Sequence, residues 1–180
     1  DWKASRHNRG RIHANMKILG KTITNVVRNM DPTMICMCEV GQVMTPLTEE
    51  QMQEVEHQIT CAWKGAATEH FDLRSMFQVG EPYMTIYRHG PIHCSCHCIL
   101  HNLYVGPNGE PRTAQTFVCS GPGNVTADVI NVHAPSGRGK KKLKDKQRIA
   151  LQTNLLQSNS QSMPGQAIGN ACLLVGGDMN

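Results

Sequence analysis

Apolar residues recur with the spacing of one helix face in three segments of the chain. The first stripe consists of Met16, Leu19, Ile23, Val26 and Met30. Asp31-Pro32 follows and ends the predicted helix, because proline cannot continue it. A second helix is predicted from about Thr48 to Trp63, opening with the capping-box spacing of Thr48 and Gln51. A third helix is predicted by Leu143, Ala150, Leu151 and Leu155.

Short apolar runs between turn residues predict strands. The nearly continuous run 33–38, TMICMC, predicts a strand buried on both faces. Residues 71–119 contain four runs separated by glycine and proline, which predicts an antiparallel meander with a hairpin turn at 106–109. Residues 128–133 and 171–175 predict two further strands. The pattern alone indicates a mixed α/β protein without a domain linker.

Composition indicates one folded domain. The chain has 180 residues, of which 39% are hydrophobic, and this excludes disorder of the whole chain. No apolar run approaches the roughly 20 residues that a membrane-spanning helix needs. No signal peptide is visible at the first residues, which favours an intracellular location.

Positive charge is concentrated in one segment. The net charge is +4, but residues 138–148 hold seven basic residues and one acidic residue, so the rest of the chain carries −2. A patch of this kind suits phosphate or nucleic acid, because its attraction is electrostatic and local. A solvated, lysine-rich helix start is the alternative. With only eight aromatic residues, a base-stacking platform is poorly supported.

Eight cysteines occur without a CxxC pair, and most are predicted to be reduced core residues. The exception is the segment 93–98, HCSCHC, with His101 nearby. Its ligand types suit zinc. On a strand, however, Cys94, Cys96 and Cys98 would face one side and the histidines the other. A cysteine-rich strand is therefore preferred to a zinc site.

Polar residues stand at the ends of the predicted strands. Glu39 follows the first of these strands, and His133 ends the strand 128–133. Asp178 and Asn180 follow the last strand, and Asn8 follows an N-terminal segment that fits a further strand. In layered α/β proteins, loops at strand ends bring such residues together. Each residue taken singly also fits a solvated turn.

Three motifs follow one another in a set order. They are residues 31–40 (DPTMICMCEV), 131–136 (NVHAPS) and 177–180 (GDMN). In order and separation they resemble motifs of the endonuclease/exonuclease/phosphatase superfamily, with Cys38 and Met179 replacing the family's usual Gln and Phe. The resemblance implies an α/β fold, a two-sheet, four-layer sandwich with outer helices like that of deoxyribonuclease.

The resemblance also implies a divalent cation, Mg²⁺ or Mn²⁺, with Glu39 as its main carboxylate ligand. Asn8 would support the metal site and the phosphate, and Asn15 is a rival for this role. Mg²⁺ suits such a site because it prefers hard oxygen ligands and keeps several waters.

Catalytic roles are implied for three further residues. Asp178 would orient or deprotonate the attacking water, and Asn180 would hold a phosphoryl oxygen. His133 matches the deoxyribonuclease and sphingomyelinase branch, in which a histidine aids the leaving group or the phosphate. The phosphate or nucleic-acid contacts are expected from Arg138, Lys140, Lys141 and Lys142.

The family ends with further strands and a Ser-Asp-His motif, which does not occur in this sequence. Residues 1–180 are therefore expected to form one domain of this family without its C-terminal strands. The predicted function is a Mg²⁺-dependent, nuclease-like phosphodiester hydrolase that is weak or inactive as this chain. Nucleic acid is the expected substrate, with a phosphorylated small molecule or lipid headgroup still open. The alternative is a non-catalytic nucleic-acid-binding module or a decayed remnant of such an enzyme.

Overall fold

The computed structural model describes residues 6–40, 47–106, 109–134, 141–160 and 172–178. Three helices in these ranges are α1 (Arg6–Met30), α2 (Glu49–Ala66) and α3 (Lys141–Ser160). The strands are β1 (Met34–Met37), β2 (Asp72–Phe77), β3 (Met84–His89), β4 (His93–Val105), β5 (Pro111–Ser120), β6 (Thr126–His133) and β7 (Cys172–Asp178). The mixed α/β class predicted from the pattern is confirmed.

The chain divides into two compact units. The first unit consists of Asp1–Ile35 with Glu39–Gly90, and the second of Cys36–Cys38 with Pro91–Asn180. In the described ranges, the strands form a three-stranded sheet with the order β1-β3-β2, here called the first sheet. They also form a four-stranded sheet with the order β4-β5-β6-β7, here called the second sheet.

The first sheet has a buried centre and a partly exposed edge. Four consecutive residues of β3, from Met84 to Tyr87, are buried, so both faces of this strand are covered. The prediction that residues 33–38 form a strand buried on both faces is wrong. β1 is shorter, and only Met37 in it is buried. β1 lies at an edge of its sheet, where a neighbouring strand covers one side only.

The predicted meander over residues 71–119 is two antiparallel pairs in different sheets. β2 pairs with β3 in the first sheet, and β4 pairs with β5 in the second. The predicted β4–β5 hairpin is confirmed at its described ends, where the Gly106 amide donates to the Glu110 carbonyl at 2.8 Å. Gly109 has a φ of 83°, a conformation that glycine adopts readily. Pro107 and Asn108 lie outside the described residues.

Helix α2 begins as predicted. The Gln51 amide donates to the Thr48 hydroxyl, and the Thr48 amide donates to the Gln51 side chain at 2.9 Å, which completes the capping box. The inward face of α2 carries five buried residues, Met52, Val55, Ile59, Trp63 and Ala66. The Trp63 ring meets the edge of Phe71 with 6.3 Å between centroids. Apolar packing therefore holds this helix in the first unit.

Helix α3 is anchored to β4 in the second unit. Leu151 is buried in a cluster with Leu103, Ala114 and Val132. Beside this cluster, the Gln147 side chain donates to the Val105 carbonyl at 2.7 Å. The predicted third helix is thus confirmed. No helix in the described part of the chain is long and apolar enough to cross a membrane.

Strand β4 is irregular, and this corrects the expectation for its cysteines. Its register with β5 shifts between Ser95 and Cys98, and Cys96 has a φ of 54°. A bulge of this kind interrupts the alternation of side chains. As a result Cys94 is buried, whereas Cys96 and Cys98 are exposed. The cysteine-rich strand is confirmed, but most described cysteines are not core residues.

Candidate active site

His133 and Asp178 lie beside each other at the ends of two neighbouring strands. β6 and β7 run parallel, and the backbones of His133 and Asp178 are partners in register. Adjacent strands lie about 4.8 Å apart. Four consecutive buried residues, from Val129 to Val132, hold β6 in the core, whereas His133 is half-buried. The predicted meeting of these two strand ends is therefore confirmed.

β7 extends further than predicted. The strand was expected at residues 171–175, with Asp178 after it, but Asp178 is its last residue. The glycines 176 and 177 stay extended because they pair with Asn131 and Val132 of β6. Asn180 lies outside the described residues.

Tyr104 fixes the backbone at the end of β6. Its hydroxyl donates to the His133 carbonyl at 2.7 Å, and its ring is buried in the cluster that supports α3. Sequence reasoning missed this residue. The two residues are far apart in the chain, so local spacing carries no signal for the contact.

A chain of buried polar groups runs across the second sheet, two residues before His133. The Asn131 amide donates to the Met37 carbonyl at 2.9 Å and to the Gln115 side-chain oxygen at 3.3 Å. The Gln115 amide nitrogen lies 3.2 Å from Nε2 of His97, which therefore acts as the acceptor. Burial lowers the pKa of His97, in keeping with a neutral ring. We call these three side chains the polar chain.

The polar chain also escaped sequence reasoning, although a signal existed. Asn131 interrupts the apolar run of β6 at a position that is 0% exposed. Buried polar side chains are nearly always hydrogen-bonded. An amide in the middle of a core strand therefore predicts partners, although the sequence does not say which.

Glu39 belongs to the first unit, two residues after β1. Its side chain is exposed, and its φ of 58° is unusual for a residue other than glycine. The next residue is held in place, because the Val40 amide donates to the Pro82 carbonyl at 3.0 Å. The position of Glu39 after the strand is confirmed, and its meeting with His133 and Asp178 stays a prediction.

No protein-family model and no curated protein sequence matches the chain. Solved structures match it in fold. Truncated TDP2 from Caenorhabditis elegans superposes with a TM-score of 0.55 at 17% identity, covering 95% of this chain and 58% of that one. A humanized D. rerio TDP2 gives 0.58 at 11% identity, covering 93% and 61%. ANGEL2, a 2′,3′-cyclic phosphatase, gives 0.54 at 13% identity, covering 88% and 42%.

These proteins are members of the endonuclease/exonuclease/phosphatase superfamily. The chain has the endonuclease/exonuclease/phosphatase fold. The fold that the three motifs implied is thus confirmed, with the fold class of α/β with two sheets and helices. The chain spans about half the length of the solved chains that it matches.

A magnesium site in this endonuclease/exonuclease/phosphatase fold would draw on few protein ligands. Among the described side chains, no group of three or more His, Cys, Asp or Glu residues could hold a metal. The described residues of segment 93–98 do not gather into such a group. Mg²⁺ is commonly bound through one or two carboxylates, with waters and phosphate oxygens completing the shell. The exposed carboxylate of Glu39 fits that donor set.

The predicted N-terminal site residue lies in a different element from the one expected. Asn8 lies in α1, not after a strand, and its rival Asn15 lies in the same helix. The helix begins ten residues before the apolar stripe. The helix can include these residues because no proline occurs before Pro32.

The basic segment is described in part. Arg138 and Lys140 lie outside the described residues. Lys141 and Lys142 begin α3, and Lys146 and Arg148 further along it are exposed. The first turn of α3 contains no acidic residue, and Asp145 follows in the next turn. Contact with phosphate stays a prediction for all four residues named for it.

Proposed function

We propose that the chain is part of a Mg²⁺-dependent phosphodiester hydrolase, nuclease-like in its reaction and acting on nucleic acid. One observation carries the proposal: the parallel pairing that makes His133 and Asp178 register partners at one end of the second sheet. Positioning of this kind suits a reaction that needs a placed water and help for the leaving oxygen. That residues 1–180 form one domain of this kind belongs to the same proposal.

The residues have separate roles in this reaction. Asp178 orients the attacking water or takes its proton, and His133 gives a proton to the leaving oxygen. Asn180 donates a hydrogen bond to the phosphoryl oxygen on which charge builds. Glu39 would hold Mg²⁺, with support from Asn8. When bound, the cation supplies charge neutralisation at the phosphate.

Nucleic acid is favoured as the substrate by three observations. D. rerio TDP2, which has a TM-score of 0.57 and 10% identity to this chain, was solved with a single-strand DNA product. ANGEL2 was solved with adenosine-2′,3′-vanadate. The exposed Lys146 and Arg148 on α3 add positive charge further along the chain from His133. Hydrolysis of a phosphorylated small molecule or a lipid headgroup in place of nucleic acid would be another outcome of the test.

The test is hydrolysis of a labelled single-stranded DNA, a labelled RNA and bis(p-nitrophenyl) phosphate, with Mg²⁺ and with a chelator. It uses the chain and any longer natural protein that contains it. We expect Mg²⁺-dependent cleavage that falls roughly 10²–10⁴-fold in His133→Ala and Asp178→Asn. Glu39→Gln should raise the Mg²⁺ concentration needed for activity.

Two matched variants control for general damage. Glu69→Gln changes an exposed glutamate of the first unit, and Asp128→Asn changes an aspartate near the other end of β6. Both should retain wild-type rates. Absence of hydrolysis of all three substrates, or cleavage that persists in the chelator and in Glu39→Gln, would contradict the proposal.

The second candidate is a nucleic-acid-binding module without catalysis, favoured by the concentration of basic residues in segment 138–148 at the start of α3. It predicts binding of single-stranded DNA in the chelator. Neutralising Lys140, Lys141 and Lys142 together should lower the slope of log affinity against log salt by about 2. The charge-matched control neutralises three exposed lysines elsewhere, Lys17, Lys21 and Lys64. Equal slopes in the two triple variants would exclude this binding surface.

A further inference from the structure

Two cysteines face each other across neighbouring strands of the second sheet. Cys94 of β4 and Cys119 of β5 are partners in register. Antiparallel partners have Cα atoms about 4.5–5.5 Å apart, which lies inside the range that disulfides span. The strand pairing thus places the two Cα atoms within the range that a disulfide spans.

The two thiols differ in access. Cys94 is 8% exposed, whereas Cys119 is half-buried. Burial raises the pKa of Cys94 to about 12, with smaller contributions from the Cys119 and Cys36 thiols. Cys94 is therefore protonated at neutral pH and a poor first nucleophile, since the thiolate is the reactive form. A reaction with a molecule from solution would begin at Cys119.

We propose that Cys94 and Cys119 form a reversible cross-strand disulfide by exchange with a low-molecular-weight disulfide. In the first step the Cys119 thiolate attacks one sulfur of the small disulfide, forms a mixed disulfide and releases one small thiolate. Cys94 then loses its proton and attacks Sγ of Cys119, which releases the second small thiolate. Two protein thiols are oxidised, and one small disulfide is reduced to two thiols.

Metal binding is the other chemistry open to neighbouring thiols. Cys36 lies near enough to influence Cys94, yet no described group of three His, Cys, Asp or Glu residues could hold a metal. Two thiols at paired positions of neighbouring strands instead suit a covalent bond between them.

The disulfide site is separate from the proposed phosphoesterase site. Cys119 pairs with Ala127 of β6, six residues before His133. At 3.3 Å per residue the two positions are about 20 Å apart along the sheet. Failure of one proposal therefore leaves the other standing.

The test is oxidation of the folded chain with oxidised glutathione, followed by blocking of free thiols with N-ethylmaleimide. Tryptic digestion without reduction separates residues 89–112, which hold Cys94, Cys96 and Cys98, from residues 113–138, which hold Cys119. We expect one linked pair of these peptides, lighter by two hydrogens than their sum. Fragmentation should place the bond at Cys94, and dithiothreitol should reverse it.

Cysteine-to-serine variants identify the two residues that form the bond. The linked pair should persist in the double variant Cys96→Ser/Cys98→Ser and vanish in Cys94→Ser and in Cys119→Ser. Thermal unfolding of the wild type gives a second readout, because a bond between the strands restricts the unfolded chain. Its midpoint should rise on oxidation, and the midpoint of Cys119→Ser should not. No linked peptide at excess oxidised glutathione, or fragmentation that places the bond at Cys96, Cys98 or Cys36, would overturn the proposal.

Discussion

The two sheets bury different kinds of side chains. In the first sheet, β3 is covered on both faces, and Thr85 is the one polar residue among its four buried positions. In the second sheet, two amides that are 0% exposed, Gln115 and Asn131, lie in the centre of β5 and β6. Apolar burial gains free energy without regard to direction, whereas a buried amide gains only when its partners stand at the right place.

The two kinds of burial have different effects: apolar packing contributes stability, and hydrogen-bonded polar groups define the position of a strand. The apolar face of α2 tolerates small shifts, since close packing has many solutions of similar energy. The polar chain permits few arrangements, because each amide in it needs a hydrogen-bond donor or acceptor at a fixed place. Asn131 makes its bonds two residues before His133. The second sheet therefore uses its buried polar groups to define where the end of β6 lies.

The largest effect is expected from breaking the apolar core of the first unit. Trp63 is 0% exposed, so Trp63→Ala should lower the free energy of unfolding by about 3–5 kcal/mol. Urea titration followed by circular dichroism measures the change. Lys64→Ala, at the exposed neighbouring position, should stay within about 0.5 kcal/mol of wild type. A loss below about 1 kcal/mol in Trp63→Ala would mean that this core is not close-packed.

Removing one member of the polar chain should cost less. Asn131→Ala leaves the Met37 carbonyl and the Gln115 oxygen without their donor, at a cost of about 1–3 kcal/mol. Asn131→Asp should cost more than Asn131→Ala at neutral pH, because a carboxylate would face those two oxygens. Equal costs for the two variants, measured by urea titration, would show that the side chain does not lie in the position described.

The capping box of α2 should have a smaller effect. Thr48→Ala removes the hydroxyl that accepts from the Gln51 amide, and about 1 kcal/mol of stability should be lost. Thr48→Ser keeps the hydroxyl and should remain near wild type in the same urea titration. A Ser variant as unstable as the Ala variant would assign the effect to the lost methyl group.

The smallest effect concerns pH. Because burial lowers the pKa of folded His97 below its usual value of 6.5, the unfolded chain binds more protons between the two values. The contribution of His97 to stability is complete above pH 6.5 and is lost as the pH falls toward the lowered pKa. Protonation also removes the acceptor that Gln115 uses. His97→Gln should flatten this part of the stability profile, and an unchanged slope would contradict it.

Sequence reasoning found what depends on local spacing. The capping box of α2 and the strand ends at Glu39 and His133 are local patterns, and they appear where expected. It failed where contacts between distant segments determine the structure. The division of the meander between two sheets depends on which strand each hairpin meets, and the bulges of β4 depend on its pairing with β5.

The candidate site was predictable as a set of strand ends and not as a geometry. Their places at strand ends predicted that His133 and Asp178 would lie near each other, and their backbones are register partners. The supporting contacts of Tyr104 and Asn131 were out of reach, because a hydrogen bond between distant residues leaves no periodic trace. Asn8 was misplaced because the sequence before the apolar stripe carries no helix signal of its own.

The parallel pairing of β6 with β7 also determines the order of folding. β5 and β6 are joined by a short connection, so this hairpin closes quickly. Helix α3 separates β6 from β7 in the chain. Closing this longer loop costs more chain entropy than closing the β5–β6 hairpin. We therefore expect the pairing of His133 with Asp178 to form late, once the rest of the second sheet is in place. A chain caught before that step would hold a nearly complete sheet with one half of its candidate site missing.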